Sequence, residues 1–378
     1  MRIVHVTDCF APRTGGIESQ VGDLAAAQAR AGDEVHVTTA TFGAQGQHGG
    51  AVEETRGVRV HRLGSRFTGG LPVNPWSGPR LMRAVLRDVR PDVVHVHAGL
   101  VAPFAYDGAR TARAAGIPTV VTWHSMLDGG IPVLRAGSKV LGWRSSRMVP
   151  TAVSHAAARR VEKVLGLAPG EVPVVPDAID VAAWHAVAAR RETDPAAPVR
   201  FVTTMRLEPR KRGRHLVEAF AQALRALPDG AARLTIIGAG SEDALLRSRV
   251  ARLGLGDRVT MAGRLTREEV TAAYATADVF CSPAILEAFG IAALEARSAG
   301  LAVVARRGTG VEEFVDHEVE GLLVSSDDEL AGAMVRLVRD RALLGRLLEH
   351  NRDHAPRFTW DVVTQRAAEA YAEASARG

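Results

Sequence analysis

The run Ser282-Pro283-Ala284-Ile285-Leu286-Glu287-Ala288-Phe289-Gly290-Ile291-Ala292-Ala293-Leu294-Glu295-Ala296-Arg297-Ser298-Ala299-Gly300 decides how the rest of the chain is read. Ahead of it, Ala277-Asp278-Val279-Phe280-Cys281 is a short apolar run of the kind that forms a buried strand. Behind it, Leu301-Ala302-Val303-Val304-Ala305 is another. Gly290 to Ala299 predicts a helix, stopped by Gly300 at its C-cap position. Strand, polar loop, helix and strand in that order predict a parallel sheet. Glu287 falls in the loop and Glu295 inside the helix, eight residues further on.

Two carboxylates that serve one glycosidic bond stand about 5–9.5 Å apart. Eight helical residues span roughly 12 Å, so this pair suits a longer ligand. A nucleotide sugar has the right form, with a ribose diol at one end and a hexose at the other. The helix start between the two glutamates offers free N–H groups and a favourable dipole to a phosphate. Phe289-Gly290 lets backbone approach a ligand closely. The competing reading makes both glutamates solvated surface residues. Against it, Glu295 sits among Ile291, Ala292, Ala293, Leu294, Ala296 and Ala299, where a carboxylate needs a partner or a ligand.

Outward from this stretch the alternation of strand and helix continues in both directions, as in doubly wound sheets. Ile3-Val4-His5-Val6 is the first predicted strand, and Gly15-Gly16 opens a helix running from Ile17 to Ala31. Further strands are predicted at Val35–Thr38, Val58–Leu63, Val93–His97, Gly116–Thr122 and Val149–Val153, with Val172–Asp180 as a strand and exit. His124 lies just past a strand end, where open parallel sheets place their ligands. Its near-neutral pKa range suits proton handling; capping the strand end is the competing role. His97 also ends its strand and is an acceptor-side candidate. His95 and His97 share one strand face, but no third ligand is near in sequence, so no metal is expected.

The pattern restarts at Val199–Thr204, and Ala186 to Pro198 reads as an interdomain linker. Five basic residues then fall between Arg206 and Arg214, a plausible clamp for a diphosphate. Lys211 is one of only three lysines in the chain, beside 44 arginines. Gly238-Ala239-Gly240 opens like a dinucleotide fingerprint, but Asp243 stands at the third glycine position, which disfavours hydride transfer.

Taken together, these segments resemble the retaining glycosyltransferases of family 4, in the group 1 superfamily, which have the GT-B fold. Glu287 and Glu295 match the family's Glu-x7-Glu, Arg206 and Lys211 its Arg-x4-Lys, and Pro12 to Gly16 its Pro-x-x-Gly-Gly. Thr122-Trp123-His124 matches Thr-x-His, and Thr309 to Glu313 resembles Gly-Gly-x-x-Glu with Thr309 for the first glycine. Two departures stand out. Arg212 replaces the glycine usual after the lysine, and Asp177-Ala178 replaces Asn-Gly in the segment that closes the N-terminal domain.

The resemblance implies an α/β fold of two Rossmann-like, doubly wound parallel-sheet domains facing across a cleft. Residues 1–190 would form the acceptor-side domain, 191–355 the nucleotide-sugar domain, and 356–378 a terminal helix crossing back. It implies metal-independent hexosyl transfer with retention, needing no cofactor beyond a UDP- or GDP-linked sugar as substrate. His124 and Glu287 would act at the reacting sugar. Gly15, Gly16, Arg206, Lys211, Arg264, Phe289, Gly290, Ile291 and Glu295 would hold substrate, with Glu295 on the ribose and Arg264 near the base. Two other readings keep the fold: a nucleotide-sugar epimerase, and a catalytically silent nucleotide-binding homologue.

Composition fits this reading. The 378 residues exceed one ordinary core, and 47% hydrophobic with 24% charged residues is globular usage. No apolar run reaches the roughly 18 residues of a membrane span. The chain lacks a signal-peptide core and its two cysteines, Cys9 and Cys281, form no motif, so a cytoplasmic setting is expected. Residues 1–190 hold 21 Lys+Arg against 15 Asp+Glu, whereas 191–378 hold 26 against 27. The basic half points to an anionic acceptor, glycan or lipid-linked, and to peripheral contact with the inner face of an anionic membrane. A basic amphipathic segment over 133–148 would serve that contact. Arg-rich, Lys-poor usage suggests a bacterial source of high G+C coding.

Overall fold

The computed structural model describes residues 1–13, 15–65, 78–128, 135, 148–188 and 197–377. The chain divides into two units, Met1–Ala178 with Trp360–Gly378, and Ile179–Thr359.

Unit 1 carries β1 (Arg2–Thr7), α1 (Gly16–Arg30), β2 (Glu34–Thr39), β3 (Ala51–Thr55), β4 (Val58–Arg62), α2 (Gly78–Val89) and β5 (Val93–Ala98). It continues with α3 (Pro103–Ala114), β6 (Thr119–Trp123), β7 (Met148–Ala152) and α4 (His155–Leu165). The sheet order is β3-β4-β2-β1-β5-β6-β7. Every pair is parallel except β3 with β4. Strands covered on both faces need no polar alternation, and β5 and β6 are buried at every position. Ser154 caps α4 by accepting the Ala157 N–H, and Gly166 ends it in the left-handed region.

Unit 2 carries α5 (Val181–Ala188), β8 (Val199–Thr204), α6 (Gly213–Arg225), β9 (Ala232–Ile237), α7 (Asp243–Arg252), β10 (Val259–Gly263) and α8 (Arg267–Thr276). It goes on with β11 (Val279–Ser282), α9 (Ile291–Ser298), β12 (Ala302–Arg306), β13 (Gly321–Val324), α10 (Asp327–Arg339) and α11 (Arg341–Asp353). Its order is β10-β9-β8-β11-β12-β13, parallel throughout. Phe201, Phe220, Ile236, Val304 and Met334 fill its core, each such side chain contributing about 2–3 kcal/mol through burial. The last helix, α12 (Trp360–Ala376), belongs to unit 1. Its Val363, Ala367, Ala370, Tyr371 and Ala374 pack with Ile3, Val93, Val120 and Val149 of the strands.

Two local expectations need correction. Residues 186–188 are the end of α5, not linker; Val181, Trp184, Val187 and Ala188 form a buried helical face that the alanine-rich composition hid. Residues 189–196 of that linker, and the basic segment over 133–148 apart from Arg135 and Met148, lie outside the described residues. The segment Val172–Asp180 pairs only at Val174, through a single bridge to Ala152. Among the described residues no helix is long and apolar enough to cross a membrane.

Candidate active site

In unit 2 the strand order reverses between β8 and β11: β9 and β10 continue to one side of β8, β12 and β13 to the other. Open parallel sheets bind ligands at such a switch point, outside the carboxyl ends of the strands. The loop after β8 delivers Arg206 and Lys211, and the loop after β11 delivers Glu287. These two loops meet: Lys211 Nζ donates to Glu287 Oε2 at 2.6 Å, with both side chains about one-fifth exposed. Arg206 is exposed on the same loop and makes no ion pair among the described residues.

Backbone constraints hold both loops in place. Gly238 has φ +139, and a Cβ there would lie 1.8 Å from the Met205 carbonyl oxygen. At Gly240 it would lie 2.4 Å from the Leu207 carbonyl oxygen. The Gly-x-Gly after β9 therefore exists to let the Arg206 loop pass; the dinucleotide likeness has a packing origin. On the other side, the Gly310 N–H donates to the Glu287 carbonyl at 2.8 Å, and a Cβ at Gly310 would meet the Ala288 carbonyl oxygen at 2.1 Å. Gly310→Ala should lower stability by about 2–3 kcal/mol in urea unfolding. It should also disorder the Glu287 loop; a change under ~0.5 kcal/mol would show that the loop is not pinned there.

Arg212, the departure from glycine, adopts φ 60 and caps α6. A non-glycine residue in this region costs about 1–2 kcal/mol. The cost is offset by an ion pair at 2.6 Å to Asp327, which Arg306 also engages.

Gly290 caps α9 at φ 99, a conformation that favours glycine, and a Cβ would lie 2.8 Å from Val311 Cγ2. The free N–H groups of α9 thus open beside the Glu287 loop, with Ile291 half-buried at the first helical position. Phe289 was expected beside the ligand. Its ring is 2% exposed and packs on Phe314 and Phe358 at 5.5 and 5.4 Å, so only its backbone can serve a ligand. Glu295, one helical stretch further, is half-buried and has no hydrogen-bond partner among the described residues. Burial pushes its carboxyl up to about 7, with the Arg267 guanidinium acting in the opposite direction. Beside it the Tyr274 hydroxyl donates to Thr204 at 2.9 Å. Arg264 is exposed just past β10, two strands from β8 and hence about 10 Å along the same sheet edge.

In unit 1 the order reverses around β1, which lies between β2 and β5. Gly15 and Gly16 begin α1 there. Gly15 is extended, so its φ does not demand glycine; instead the Glu18 carboxylate fills the space, 2.3 Å from where a Cβ would stand. The place expected for an anion is held by a side chain of the helix itself, paired with Arg13 at 3.4 Å.

His124 is nearly buried, and both ring nitrogens face protein groups. Nε2 lies 3.0 Å from His97 Nδ1, and Nδ1 lies 3.3 Å from Asp177 Oδ1. His97 in turn meets His5 at 2.9 Å. His5 is the third histidine that spacing along the chain could not supply: the β1–β5 register sets it opposite His95 and beside His97. His5, His95 and His97 lie close enough to share a cation. Burial lowers His5 to about 4 and His95 and His97 well below the ordinary range, so all three are neutral near pH 7. Asp177 carried no role in the sequence reading beyond a departure from pattern; only the fold brings it to His124.

Two family profiles match the chain, "Glycosyltransferase Family 4" over residues 14–183 and "Glycosyl transferases group 1" over 189–354. A D-inositol 3-phosphate glycosyltransferase of Pseudarthrobacter chlorophenolicus is 30% identical, over 82% of this chain and 78% of its own length. A GDP-mannose-dependent alpha-(1-6)-phosphatidylinositol monomannoside mannosyltransferase of Mycobacterium tuberculosis is 28% identical, over 97% of both chains. In fold, the chain is similar to Anabaena HepE in complex with UDP, with a TM-score of 0.76, 21% identity and coverage of 98% and 99%.

Proposed function

We propose, since the chain belongs to glycosyltransferase family 4 of the group 1 superfamily, with the GT-B fold, that it transfers a hexose with retention from a UDP- or GDP-sugar to an inositol phosphate. The acceptor is free or lipid-linked. The observation that carries the reading is the ion pair Lys211–Glu287 across the β8/β11 switch point, beside the glycine-capped start of α9. Lys211 and Arg206 take the donor diphosphate, helped by the α9 N–H groups. Once the diphosphate occupies Lys211, Glu287 is free to accept hydrogen bonds from sugar hydroxyls. Glu295 accepts from the ribose diol, and Arg264 reaches toward the base.

Arginine, lysine and a helix N-terminus together stabilise charge growing on the leaving diphosphate, so the proposed reaction needs no metal. The acceptor is assigned to unit 1, whose half of the chain is basic, and the names of two relatives support an inositol-containing acceptor. The protein is placed in the cytoplasm, touching the inner face of an anionic membrane when the acceptor is a lipid.

The test is a transfer assay in EDTA. UDP-glucose, UDP-N-acetylglucosamine and GDP-mannose are each offered with inositol 3-phosphate or with phosphatidylinositol vesicles. Product with an axial anomeric linkage from one donor, needing one acceptor, is the expected result. Donor consumption without any acceptor would instead identify an epimerase or hydrolase, and nucleotide binding without turnover a silent homologue.

A further inference from the structure

His124 heads an unbroken line of hydrogen bonds through the centre of unit 1. His97 Nδ1 faces His124 Nε2 at 3.0 Å, and His97 Nε2 faces His5 Nδ1 at 2.9 Å. His5 Nε2 faces Gln28 Oε1 at 2.7 Å, and the Gln28 amide donates to the Tyr371 hydroxyl at 2.9 Å. That hydroxyl lies 2.8 Å from His95 Nδ1, and His95 Nε2 lies 2.7 Å from the Thr122 hydroxyl. Thr122 meets Thr151 at 2.6 Å, and Thr151 donates to the Val121 carbonyl.

One assignment of protons satisfies every link. The Val121 carbonyl can only accept, and the Gln28 oxygen can only accept. His5 must therefore donate from Nε2 and accept at Nδ1, so His97 donates from Nε2 and accepts at Nδ1. His124 in turn must donate from Nε2. His5, His95 and His97 are neutral and carry their hydrogen on Nε2, and His124 donates from the same nitrogen. All six ring nitrogens of His5, His95 and His97 are occupied in this way, which leaves none for a cation without breaking the line.

His124 Nδ1 is then the nitrogen left over. It is buried with no hydrogen bond of its own, 3.3 Å from the Asp177 carboxylate. A carboxylate can only accept, so the two bond only when a proton lies between them. We propose that this line of side chains and Asp177 act as a positioning device for His124: the line takes up its Nε2–H, and Nδ1 with Asp177 forms a pair that holds a single proton. The carboxylate at 177, where family 4 carries asparagine, makes the pair a proton holder; an asparagine amide would donate to the Nδ1 lone pair and leave nothing to hold. Titratable groups facing His124 are His97 and His95 from β5 and Asp177, and a cavity of about 10 Å³ between them has room for about one water. The use of this proton during transfer rests on the function proposed above; the tautomer does not.

The experiment is long-range 15N–1H correlation of histidine-labelled full-length protein, with peaks assigned by single His→Gln variants, in EDTA and without donor or acceptor. His5, His97 and His124 should all show the Nε2–H pattern at pH 7.5. In Asp177→Asn, His124 should keep Nε2–H while its Nδ1 resonance shifts, because an amide donor replaces the carboxylate facing that nitrogen. In His97→Leu, His124 should become a mixture of tautomers. Nδ1–H on wild-type His124, or an unchanged His124 spectrum in Asp177→Asn, would overturn the proposal even if His97→Leu fails to fold. Stoichiometric shifts of His5, His95 and His97 on adding Zn²⁺ without EDTA would replace the line with a metal site. Because no sugar enters the measurement, a negative result leaves the transferase reading standing, and an inactive transferase leaves this one standing.

Discussion

Glu287→Gln should lower kcat by about 10²–10³, on the order of 3–4 kcal/mol of lost transition-state stabilisation. The same change should leave nucleoside diphosphate binding intact or make it tighter. The split follows from the geometry. In the free protein Lys211 and Glu287 neutralise one another at 2.6 Å. A diphosphate must take Lys211 away from Glu287, so part of its binding energy goes into breaking that pair. Glutamine keeps the shape and releases the lysine, and the diphosphate gains up to about tenfold in affinity. The sugar meanwhile loses an ionised acceptor where charge develops. Steady-state kinetics beside nucleotide titration would read both halves. An equal loss of binding and turnover would mean that Glu287 only props up the loop.

The second large effect is at Glu295, and it runs in opposite directions for binding and stability. Burial raises its carboxyl to about 7 in the folded chain, above the ordinary carboxylate value. The folded protein therefore binds a proton more tightly than the unfolded one between those two values. Stability falls as pH rises through that window and stays low above 7, where the carboxylate is ionised without a partner. Glu295→Gln removes this penalty: at pH 8 unit 2 should gain on the order of 2 kcal/mol, a few degrees in Tm, and at pH 4 almost nothing. The ribose diol should lose hydrogen bonds to a charged acceptor, weakening nucleotide about 10–100-fold. In the wild type, nucleotide affinity should fall as pH drops below about 7, because the protonated carboxyl is a poorer acceptor. Calorimetry over pH 5.5–8.5 with thermal melts at pH 4 and 8 checks all three, and a variant that is less stable at pH 8 would show that Glu295 has a protein partner after all.

The strands and the α9 segment were legible because both faces of a parallel sheet are covered, so strands such as β5, β6, β11 and β12 appear as plain apolar runs between turn residues. Edge strand β3 was not, since Ala51-Val52-Glu53-Glu54-Thr55 is half exposed and exists only through its hairpin with β4. That hairpin turns on Arg56 and Gly57, both at positive φ, and an arginine there gives no signal. Lys211 and Glu287 could each be picked from local pattern, but their pairing needs the sheet order that sets β8 beside β11. His5 lies 90 residues before His95, and no spacing rule connects two strands before their register is known. At Phe289 the sequence offered backbone approach to a ligand; that its ring is core, packed on Phe314 and Phe358, needs contacts that no local pattern shows.

The measurement that bears most directly on the central claim is calorimetric titration of UDP, GDP, ADP and dTDP into wild type and Glu295→Ala at pH 8. One nucleotide should bind tightly and the substitution should weaken it by at least about tenfold, which would put the ribose at Glu295 and name the donor class. Failure of all four to bind the folded wild-type protein would rule out a nucleotide-sugar donor at Glu295, and the switch point of unit 2 would then need another ligand.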